Sequence, residues 1–314
     1  MSETFECKIC GRFFEKRRGL HLHIGKAHNM KIPQYYKDYE TKLSKLYKKK
    51  IPFKNINDYL QRDFINREEL ILWCNQEKKE IVKEYCEKIL TKRKNDKSLK
   101  YSLGEIELEL CELPTINVYK NIFGSYSRLC EKIGLKNLSN KPMPEDFFEN
   151  NEQEEDLKIF IDTREQKPIN FKSGEPMKLD FGDYTCGGNY YDYTYVDRKS
   201  EQDLKGTLSG DNFERFKREL ERARTFNSFI FIAVESSIEK IIKNNNFTPY
   251  KSKLPYIWHN LKFLSQEYKD VCQFVFAGNR NGLKKIIPKI LLYGKKIWNV
   301  DIQYFINERA GKKR

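Results

Sequence analysis

Four potential metal ligands near the start of the chain restrict how that segment can fold. They follow the pattern Cys7-x2-Cys10-x12-His23-x4-His28. Thiolates and imidazoles are typical ligands of four-coordinate structural zinc, and this spacing suits two cysteines on a hairpin followed by two histidines on a helix. The sequence therefore predicts a structural Zn²⁺ site within residues 1–30.

This segment resembles a Cys2His2 zinc finger over its full length, with Phe5, Phe14 and Leu20 at the positions of its small core. The resemblance implies a ββα fold that docks on DNA. In such a finger, three helix positions contact bases, and here Gly19 and Leu22 occupy two of them, which can read little sequence. We expect the finger to contact phosphates instead, and the candidate side chains are Arg12, Lys16, Arg17 and Arg18. A finger that only stabilises the N-terminus, or that binds protein, is the alternative.

The chain is strongly basic, with 59 Lys and Arg residues against 45 Asp and Glu residues and a formal net charge of +14. Such an excess favours a polyanionic partner, either nucleic acid or an acidic membrane surface. There is no apolar run of about 18 residues and no signal-peptide pattern at the N-terminus. We therefore predict a soluble intracellular protein, in the cytoplasm or nucleoid for a phage or bacterial host and in the nucleus for a eukaryotic one.

Six further cysteines are scattered singly in apolar or helical surroundings, and we expect them to be reduced core residues rather than disulfides. They are Cys74, Cys86, Cys111, Cys130, Cys186 and Cys272.

Composition divides the remainder of the chain into four segments. Residues 31–100 are rich in Lys and Tyr and are expected to form a basic, mostly helical connector, and residues 101–140 a helical repeat. Residues 141–156 combine two prolines with many acids and asparagines, as in a solvated linker. Residues 157–314 form the last segment. The basic and aromatic stretch at 28–39 could stack on bases, or it could be a plain helical linker.

From Leu157 onward, short apolar strands alternate with helical patterns. The stretch SFIFIAV at 228–234 is apolar on both faces, as in a central strand covered by helices. Residues 211–226 have helical periodicity, with Arg215, Arg218 and Arg222 forming a basic stripe. This half is therefore expected to be an α/β domain with a central mixed sheet flanked by helices, and the stripe is a candidate DNA contact.

Asp197 and Lys199 lie two residues apart in the predicted strand YVDRKS, so both side chains point to the same face. Asp183 precedes Asp197 by fourteen positions, which suits two neighbouring strands joined by a hairpin around Gly187 and Gly188. Phosphodiester hydrolysis needs a hard cation held by carboxylates and profits from a nearby lysine. These residues are therefore candidates for a phosphodiesterase centre, whereas each alone would be read as a solvated turn or edge residue.

The same stretch resembles the nuclease domain of the XPF and Mus family, a branch of the PD-(D/E)xK nucleases. The matching segments are IDTREQ at 161–166, GDY at 182–184, VDRKSEQDL at 196–204 and the following GTLSGDNFERFKREL. The resemblance implies that Asp183 and Asp197 bind Mg²⁺ or Mn²⁺ and that Lys199 is the catalytic lysine. It further implies Asp162 and Asp203 as active-site acids.

Further residues of these motifs, Arg164, Glu165 and Arg198, are possible supports of the active site. Asp197 stands where the family usually has Glu, and its shorter side chain could set a metal ion at a different depth. The tandem helix-hairpin-helix module of the family is missing from this sequence, which weakens the transfer of junction or flap specificity.

Residues 113–137 resemble a small helical repeat that is associated with homing endonucleases. Pro114 and Thr115 can open one helix, and Ser125 can cap a second after the turn at Phe123 and Gly124. The resemblance implies a DNA-docking surface, and the alternative is an ordinary helical hairpin.

Together these features predict a metal-dependent DNA endonuclease, similar to phage-type homing enzymes, that binds DNA through its N-terminal modules. The alternatives are a structure-specific nuclease acting on flaps, forks or junctions, and a non-catalytic DNA-binding regulator. A chain with one nuclease centre breaks both strands only as a homodimer or by two successive nicks, so a homodimer is one option.

Overall fold

The computed structural model describes residues 4–149, 154, 157–246 and 254–311. In these ranges the strands are β1 (Phe5–Glu6), β2 (Phe13–Phe14), β3 (Ile159–Asp162), β4 (Gly174–Met177), β5 (Tyr184–Cys186), β6 (Thr194–Lys199), β7 (Phe229–Val234) and β8 (Cys272–Phe276). The helices are α1 (Arg17–His28), α2 (Ile32–Tyr39), α3 (Ile56–Gln61), α4 (Arg67–Gln76), α5 (Lys79–Lys97), α6 (Glu105–Leu110), α7 (Ile116–Phe123), α8 (Tyr126–Lys132), α9 (Glu201–Thr207), α10 (Gly210–Thr225), α11 (Ile238–Asn246), α12 (Leu254–Glu267), α13 (Arg280–Tyr293) and α14 (Ile302–Gly311).

The chain divides into two compact units. The first contains Met1–Val82 and Glu112–Pro114, and the second contains Lys83–Cys111 and Thr115–Arg314. The division therefore falls within α5, whereas the sequence predicted a main boundary in residues 141–156. Much of that predicted linker, residues 150–153 and 155–156, lies outside the described residues.

The first unit begins with the predicted ββα arrangement. Strands β1 and β2 pair antiparallel, with Phe5 opposite Phe14, and α1 follows. Leu20 and Ile24 of α1 are buried, and Phe5 and Phe14 pack against them. The small core predicted for the finger is thus present.

The finger shares its core with the helices that follow it. Tyr35 and Tyr36 of α2 are 0% and 2% exposed and pack in one cluster with Leu20 and Ile24. The Tyr35 hydroxyl accepts a hydrogen bond from the Lys8 backbone N–H at 2.7 Å. Base stacking by these two tyrosines, which the sequence left open, is therefore wrong, because their rings fill the interior of the first unit.

The second unit is built on a mixed sheet with strand order β4-β3-β5-β6-β7-β8. Strand β5 is antiparallel to β3 and to β6, whereas the pairs β3 and β4, β6 and β7, and β7 and β8 are parallel. Strand β4 was not predicted, because its sequence GEPM lacks the apolar alternation that indicates a strand. It lies at the edge of the sheet, where proline is tolerated.

Helices cover both faces of this sheet, as the sequence predicted. Every residue of β7 is buried. On one face, α10 contributes Phe213, Phe216, Leu220 and Ala223 to a core that also contains residues of α12. On the other face, α13 packs Leu283, Ile287, Ile290 and Leu291 against the sheet.

The predicted helical repeat corresponds to α7 and α8. Thr115 is the N-cap of α7, Gly124 ends that helix, and the Ser125 hydroxyl caps α8 by accepting from the Arg128 N–H at 3.1 Å. The repeat contacts α14, where Lys120 Nζ donates to the Tyr304 hydroxyl at 3.0 Å. These contacts explain why it clusters with the six-stranded sheet in the second unit.

In the described ranges, no helix combines the length and the apolar character that a membrane span requires. All eight cysteines are free thiols, and of the six scattered ones all are buried except the half-buried Cys111.

Candidate active site and metal centre

Three of the predicted residues meet where β5 and β6 pair. Asp197 and Lys199 lie on one face of β6, and the Lys199 ammonium donates to Asp197 Oδ1 at 2.7 Å. Asp183 directly precedes β5, and its N–H donates to the Val196 carbonyl of β6 at 2.8 Å. The alternation of side chains along β6 and the antiparallel pairing of β5 and β6 therefore bring two carboxylates and one ammonium to one place.

Gly182 shapes the turn that holds Asp183. Its φ of +56° lies in the left-handed region, and an added Cβ would lie 2.9 Å from the Val196 carbonyl oxygen. Any side chain would be strained here and would push the turn away from β6. The Asp183 side chain is fixed from the other side, since Oδ2 accepts from the Arg198 N–H at 2.7 Å.

These groups open into a cleft with a volume of about 620 Å³. We call this cavity the cleft; it is lined by Asp162, Arg164, Asp180, Gly182, Asp183, Asp197, Lys199, Arg215, Arg218, Glu219 and Arg222. The arginines of α10 form the stripe predicted from the sequence, and they lie along the cleft with exposed side chains. The cleft thus combines carboxylates at its base with guanidinium groups that suit phosphate oxygens.

The charges in the cleft influence one another strongly. Burial raises the pKa of Asp183 from 3.8 to about 8, and the neighbouring Asp197 carboxylate adds to the shift. Burial opposes the charge of Lys199, but attraction to Asp197 and the hydrogen bond to it outweigh this and raise the Lys199 pKa. Like-charged carboxylates in a partly buried site are typical of places where a cation is held.

The carboxylates of the cleft can be tested for their fit to Mg²⁺ or Mn²⁺. Oxygen ligands are the kind that these cations prefer. In the described part of the chain, Asp183 Oδ1 and Asp197 Oδ2 have no hydrogen-bond donor, so each offers a free ligand atom. Among the described residues, the cleft contains no group of three His, Cys, Asp or Glu side chains whose ligand atoms all lie within 4.8 Å of one another, so Asp183 and Asp197 are the candidate carboxylate ligands.

The carboxylate of Asp162, a predicted active-site acid, is occupied by hydrogen bonds from neighbouring residues. Its carboxylate accepts from Nε and Nη2 of Arg164 at 2.8 and 2.7 Å and from the Leu179 N–H at 2.9 Å. The hydrogen bond from Arg164 is the main reason that the pKa of Asp162 falls to about 2. This geometry fits a residue that positions Arg164 at the rim of the cleft.

Arg198 and Glu165 lie on the opposite side of β6 from Asp197. Arg198 is buried and forms ion pairs with Glu165 at 3.0 Å and with Glu235 at 3.2 Å. Neither Arg198 nor Glu165 lines the cleft. Their support is therefore indirect, since the pair holds β6 and the segment after β3 together.

Asp203, the remaining predicted acid, takes part in a capping box at the start of α9. The Ser200 hydroxyl donates to its carboxylate at 2.7 Å, and the Ser200 oxygen accepts from the Asp203 N–H at 3.2 Å. It is exposed and does not line the cleft. A catalytic role for Asp203 stays a prediction of the family resemblance.

Glu219 lines the cleft, but it was not among the site residues predicted from the sequence. Burial raises its pKa, and the Asp197 carboxylate raises it further. It follows Arg215 by four residues on α10, so it lies on the same helical face as the arginine stripe. That periodicity could have identified it, but the stripe predicted on that face consisted of Arg215, Arg218 and Arg222 alone.

The predicted zinc ligands lie together in the first unit. Their four ligand atoms lie within 4.8 Å of one another. Cys10 Sγ is 3.2 Å from His23 Nε2, Cys7 Sγ is 3.5 Å from His28 Nε2, and the two Nε2 atoms are 3.2 Å apart. A tetrahedron with Zn–S bonds of about 2.3 Å and Zn–N bonds of about 2.0 Å has edges near these lengths, so the group fits Zn²⁺.

The raised pKa of Asp183 predicts how stability depends on pH in protein without Mg²⁺ or Mn²⁺. The pKa of the Asp183 carboxyl is about 8 in the folded protein and 3.8 ordinarily. Below the ordinary value the group is protonated in both the folded and the unfolded state, so it does not reduce the free energy of unfolding. As pH rises toward 8, only the unfolded chain releases the proton, and the free energy of unfolding falls. Asp183→Asn removes this loss while keeping an oxygen for the Arg198 N–H. At pH 8 we expect its second unit to be more stable than wild type by on the order of 1–3 kcal/mol in urea unfolding.

At pH 4 the two proteins should have nearly equal stability. Asp211→Asn is the matched control, because Asp211 is exposed at the start of α10 and does not line the cleft. A stability difference between wild type and Asp183→Asn that stayed constant from pH 4 to pH 8 would contradict the electrostatic description of the cleft.

Comparison with known proteins gives similarity to part of the chain. No protein-family model matches it, and no curated protein matches it. XPF from Aeropyrum pernix is 19% identical with a TM-score of 0.33, over 44% of this chain and 67% of that one. XPF from Aeropyrum pernix in complex with DNA is 18% identical with a TM-score of 0.32, over 43% of this chain and 63% of that one. At these values the likeness carries no information about activity.

Proposed function

We propose that this protein is a divalent-metal-dependent DNA endonuclease whose catalytic centre is the cleft of the second unit. One observation carries the proposal: Asp183, Asp197 and Lys199 converge in an open cavity whose rim is basic. A carboxylate pair beside an ammonium suits hydrolysis of a phosphodiester, and the basic rim suits a polyanionic substrate.

In this proposal each side chain has a distinct role. Asp183 and Asp197 hold Mg²⁺ or Mn²⁺, whose chemistry at such a site is polarisation of the phosphoryl group and activation of water. Lys199, held in place by its ion pair with Asp197, orients the attacking water or stabilises developing negative charge. Arg164 is fixed by Asp162 and contacts a phosphate at the rim.

The arginines of α10 are proposed to bind the DNA backbone beside the scissile bond. Arg215 and Arg218 have no hydrogen-bond or ion-pair partner among the described residues, and both are exposed. Arg222 lies 4.8 Å from the Phe181 ring and donates to the Asp180 carbonyl at 2.5 Å. Two free guanidinium groups and one anchored group on one helix face give a preformed site for consecutive phosphates.

The N-terminal modules are proposed to add to DNA binding. Arg12, Lys16 and Arg18 of the finger are exposed, whereas Arg17 is half-buried beside the Phe5 ring. The first three are therefore better placed for phosphates. Zinc binding by Cys7, Cys10, His23 and His28 would hold the finger in shape, and α7 and α8 would provide a second docking surface.

We further propose that the enzyme is site-directed, in the manner of homing endonucleases, because a finger and a helical repeat accompany the cleft in one basic chain. The test is digestion of a long duplex and of branched oligonucleotides with Mg²⁺, followed by mapping of the product ends. Cleavage of the duplex at one or a few positions is expected. Preferential cutting of flaps, forks or junctions would instead support a structure-specific repair or replication nuclease.

The same digestion addresses the remaining rival, a DNA-binding regulator without catalysis. Absence of any nicking with Mg²⁺ or Mn²⁺ would favour that rival and reject the enzyme. A nicked intermediate that precedes linear product would indicate two successive cuts by one centre rather than concerted cutting by a homodimer.

A further inference from the structure

A second cavity of the second unit shares no lining residue with the cleft. Its volume is about 410 Å³, within the range of small-ligand sites. We call it the basic pocket; the residues used below are Arg93, Lys97, Lys100, Lys262, Phe263 and Gln266. They come from the end of α5, from the segment after it and from α12.

Positive charge in the basic pocket is poorly balanced. Lys97 and Lys262 have no hydrogen-bond or ion-pair partner in the part of the chain that the structure describes. The Arg93 guanidinium donates to the Cys111 sulfur at 3.0 Å, and the lining carboxylate of Glu267 lies 3.3 Å from the Lys100 ammonium. Among the described residues, three cationic side chains therefore line this cavity without a carboxylate partner.

Lys262 is half-buried in the basic pocket. Burial lowers its pKa, Cys111 and Glu107 raise it, and repulsion from Arg93 and Lys97 lowers it further, so that the net shift is downward. Holding a half-buried ammonium beside two other cations costs stability unless an anion neutralises them. The arrangement is therefore one that a bound anion would relieve.

Gln266 lines the basic pocket and is only partly hydrogen-bonded. Its Oε1 accepts from the Tyr101 N–H at 3.3 Å, whereas its Nε2 is buried and has no acceptor. A buried amide donor without a partner is unfavourable and is commonly satisfied by a ligand or water. Gln266 therefore leaves one polar group of the pocket wall without a partner among the described residues.

We infer that the basic pocket binds a phosphate ester. Arg93, Lys97 and Lys262 would neutralise the phosphate. Phe263, which is 38% exposed, offers an aromatic surface for a base or sugar beside the phosphate. This chemistry has two sources, a free nucleotide or the backbone of DNA, and neither was assigned to this pocket by the proposed nuclease function.

The test is calorimetric titration of the full zinc-loaded chain with ADP, without added Mg²⁺ or Mn²⁺. Lys262→Met removes the charge at similar volume, and Lys284→Met is the matched control because Lys284 is exposed on α13 and has no partner in the described ranges. Wild type and Lys284→Met should bind ADP. Lys262→Met should bind it roughly 10- to 100-fold more weakly, as for loss of a charge-assisted contact.

Two further measurements distinguish a free nucleotide from the DNA backbone as the source of the phosphate, and test whether a variant binds weakly only because it is misfolded. Lys262→Met should melt at or above the wild-type temperature, and Lys97→Gln, at an exposed position, should also weaken ADP binding. If DNA supplies the phosphate, both variants should instead lower the slope of log affinity against log salt for a duplex by about one unit. Unchanged ADP binding and an unchanged salt slope in both variants would overturn the inference, whatever the outcome for cleavage.

Discussion

Replacing Asp197 by Asn is expected to reduce Mg²⁺-dependent DNA cleavage by at least about 10²- to 10³-fold, as for loss of one main electrostatic contribution at an active site. Asp197 contributes a free oxygen to the cleft and also holds the Lys199 ammonium at 2.7 Å. The amide has a similar shape, but it lacks the negative charge that binds a cation and fixes the lysine. Initial rates on end-labelled duplex, with metal in excess, give the measurement.

The folded state should survive this substitution, which separates lost chemistry from lost structure. Asp197 raises the pKa of Asp183 by repulsion, so its neutralisation removes an unfavourable interaction. The same substitution removes the ion-pair partner of the Lys199 ammonium, which costs stability, and Asp183 is then the carboxylate left beside that lysine. We expect Asp197→Asn to remain folded without Mg²⁺ or Mn²⁺, with one cooperative urea transition of the second unit. Asp211→Asn, the exposed control on α10, should cleave at the wild-type rate. Wild-type cleavage by Asp197→Asn would remove Asp197 from the catalytic centre.

Loss of zinc is expected to unfold the finger of the first unit. Its core is small, and Leu20 and Ile24 lie on the helix that carries His23 and His28. Structural zinc in finger peptides contributes roughly 10–16 kcal/mol of apparent binding free energy, more than a small core supplies. Cys10→Ser should therefore lose bound zinc and the slow hydrogen exchange of Leu20 and Ile24. Hydrogen exchange with mass spectrometry, together with zinc analysis, measures both.

The matched control is Cys74→Ala, because Cys74 is a buried thiol outside the ligand group. It should retain one zinc per chain and the protection of α1. The sheet of the second unit should remain protected in Cys10→Ser, since the zinc ligands belong to the first unit. Full protection of Leu20 in zinc-free protein would show that the aromatic core alone holds the finger.

The parts of this molecule that follow from local periodicity were predictable from the sequence. The two-residue period of a strand placed Asp197 and Lys199 on one face, and the glycines at 187 and 188 indicated the hairpin that brings Asp183 beside them. Helical spacing likewise identified the apolar and basic faces of α10. The zinc group was predictable because its residue types and spacing together are rare by chance.

The parts that depend on tertiary contacts were not predictable in this way. The sequence around Asp162 does not reveal that Arg164 and the Leu179 N–H occupy its carboxylate. Nor does a stretch of tyrosines and lysines reveal that Tyr35 and Tyr36 face the finger rather than solvent. Short edge strands such as β4 are held by their neighbour and carry little pattern of their own.

The most direct test is anomalous diffraction from crystals of the chain with Mn²⁺ and a non-cleavable DNA oligonucleotide. We predict a Mn²⁺ peak in the cleft within about 2.5 Å of a carboxylate oxygen of both Asp183 and Asp197, with Lys199 beside the phosphate. An active protein whose Mn²⁺ lies elsewhere, with both carboxylates free of metal, would contradict the account.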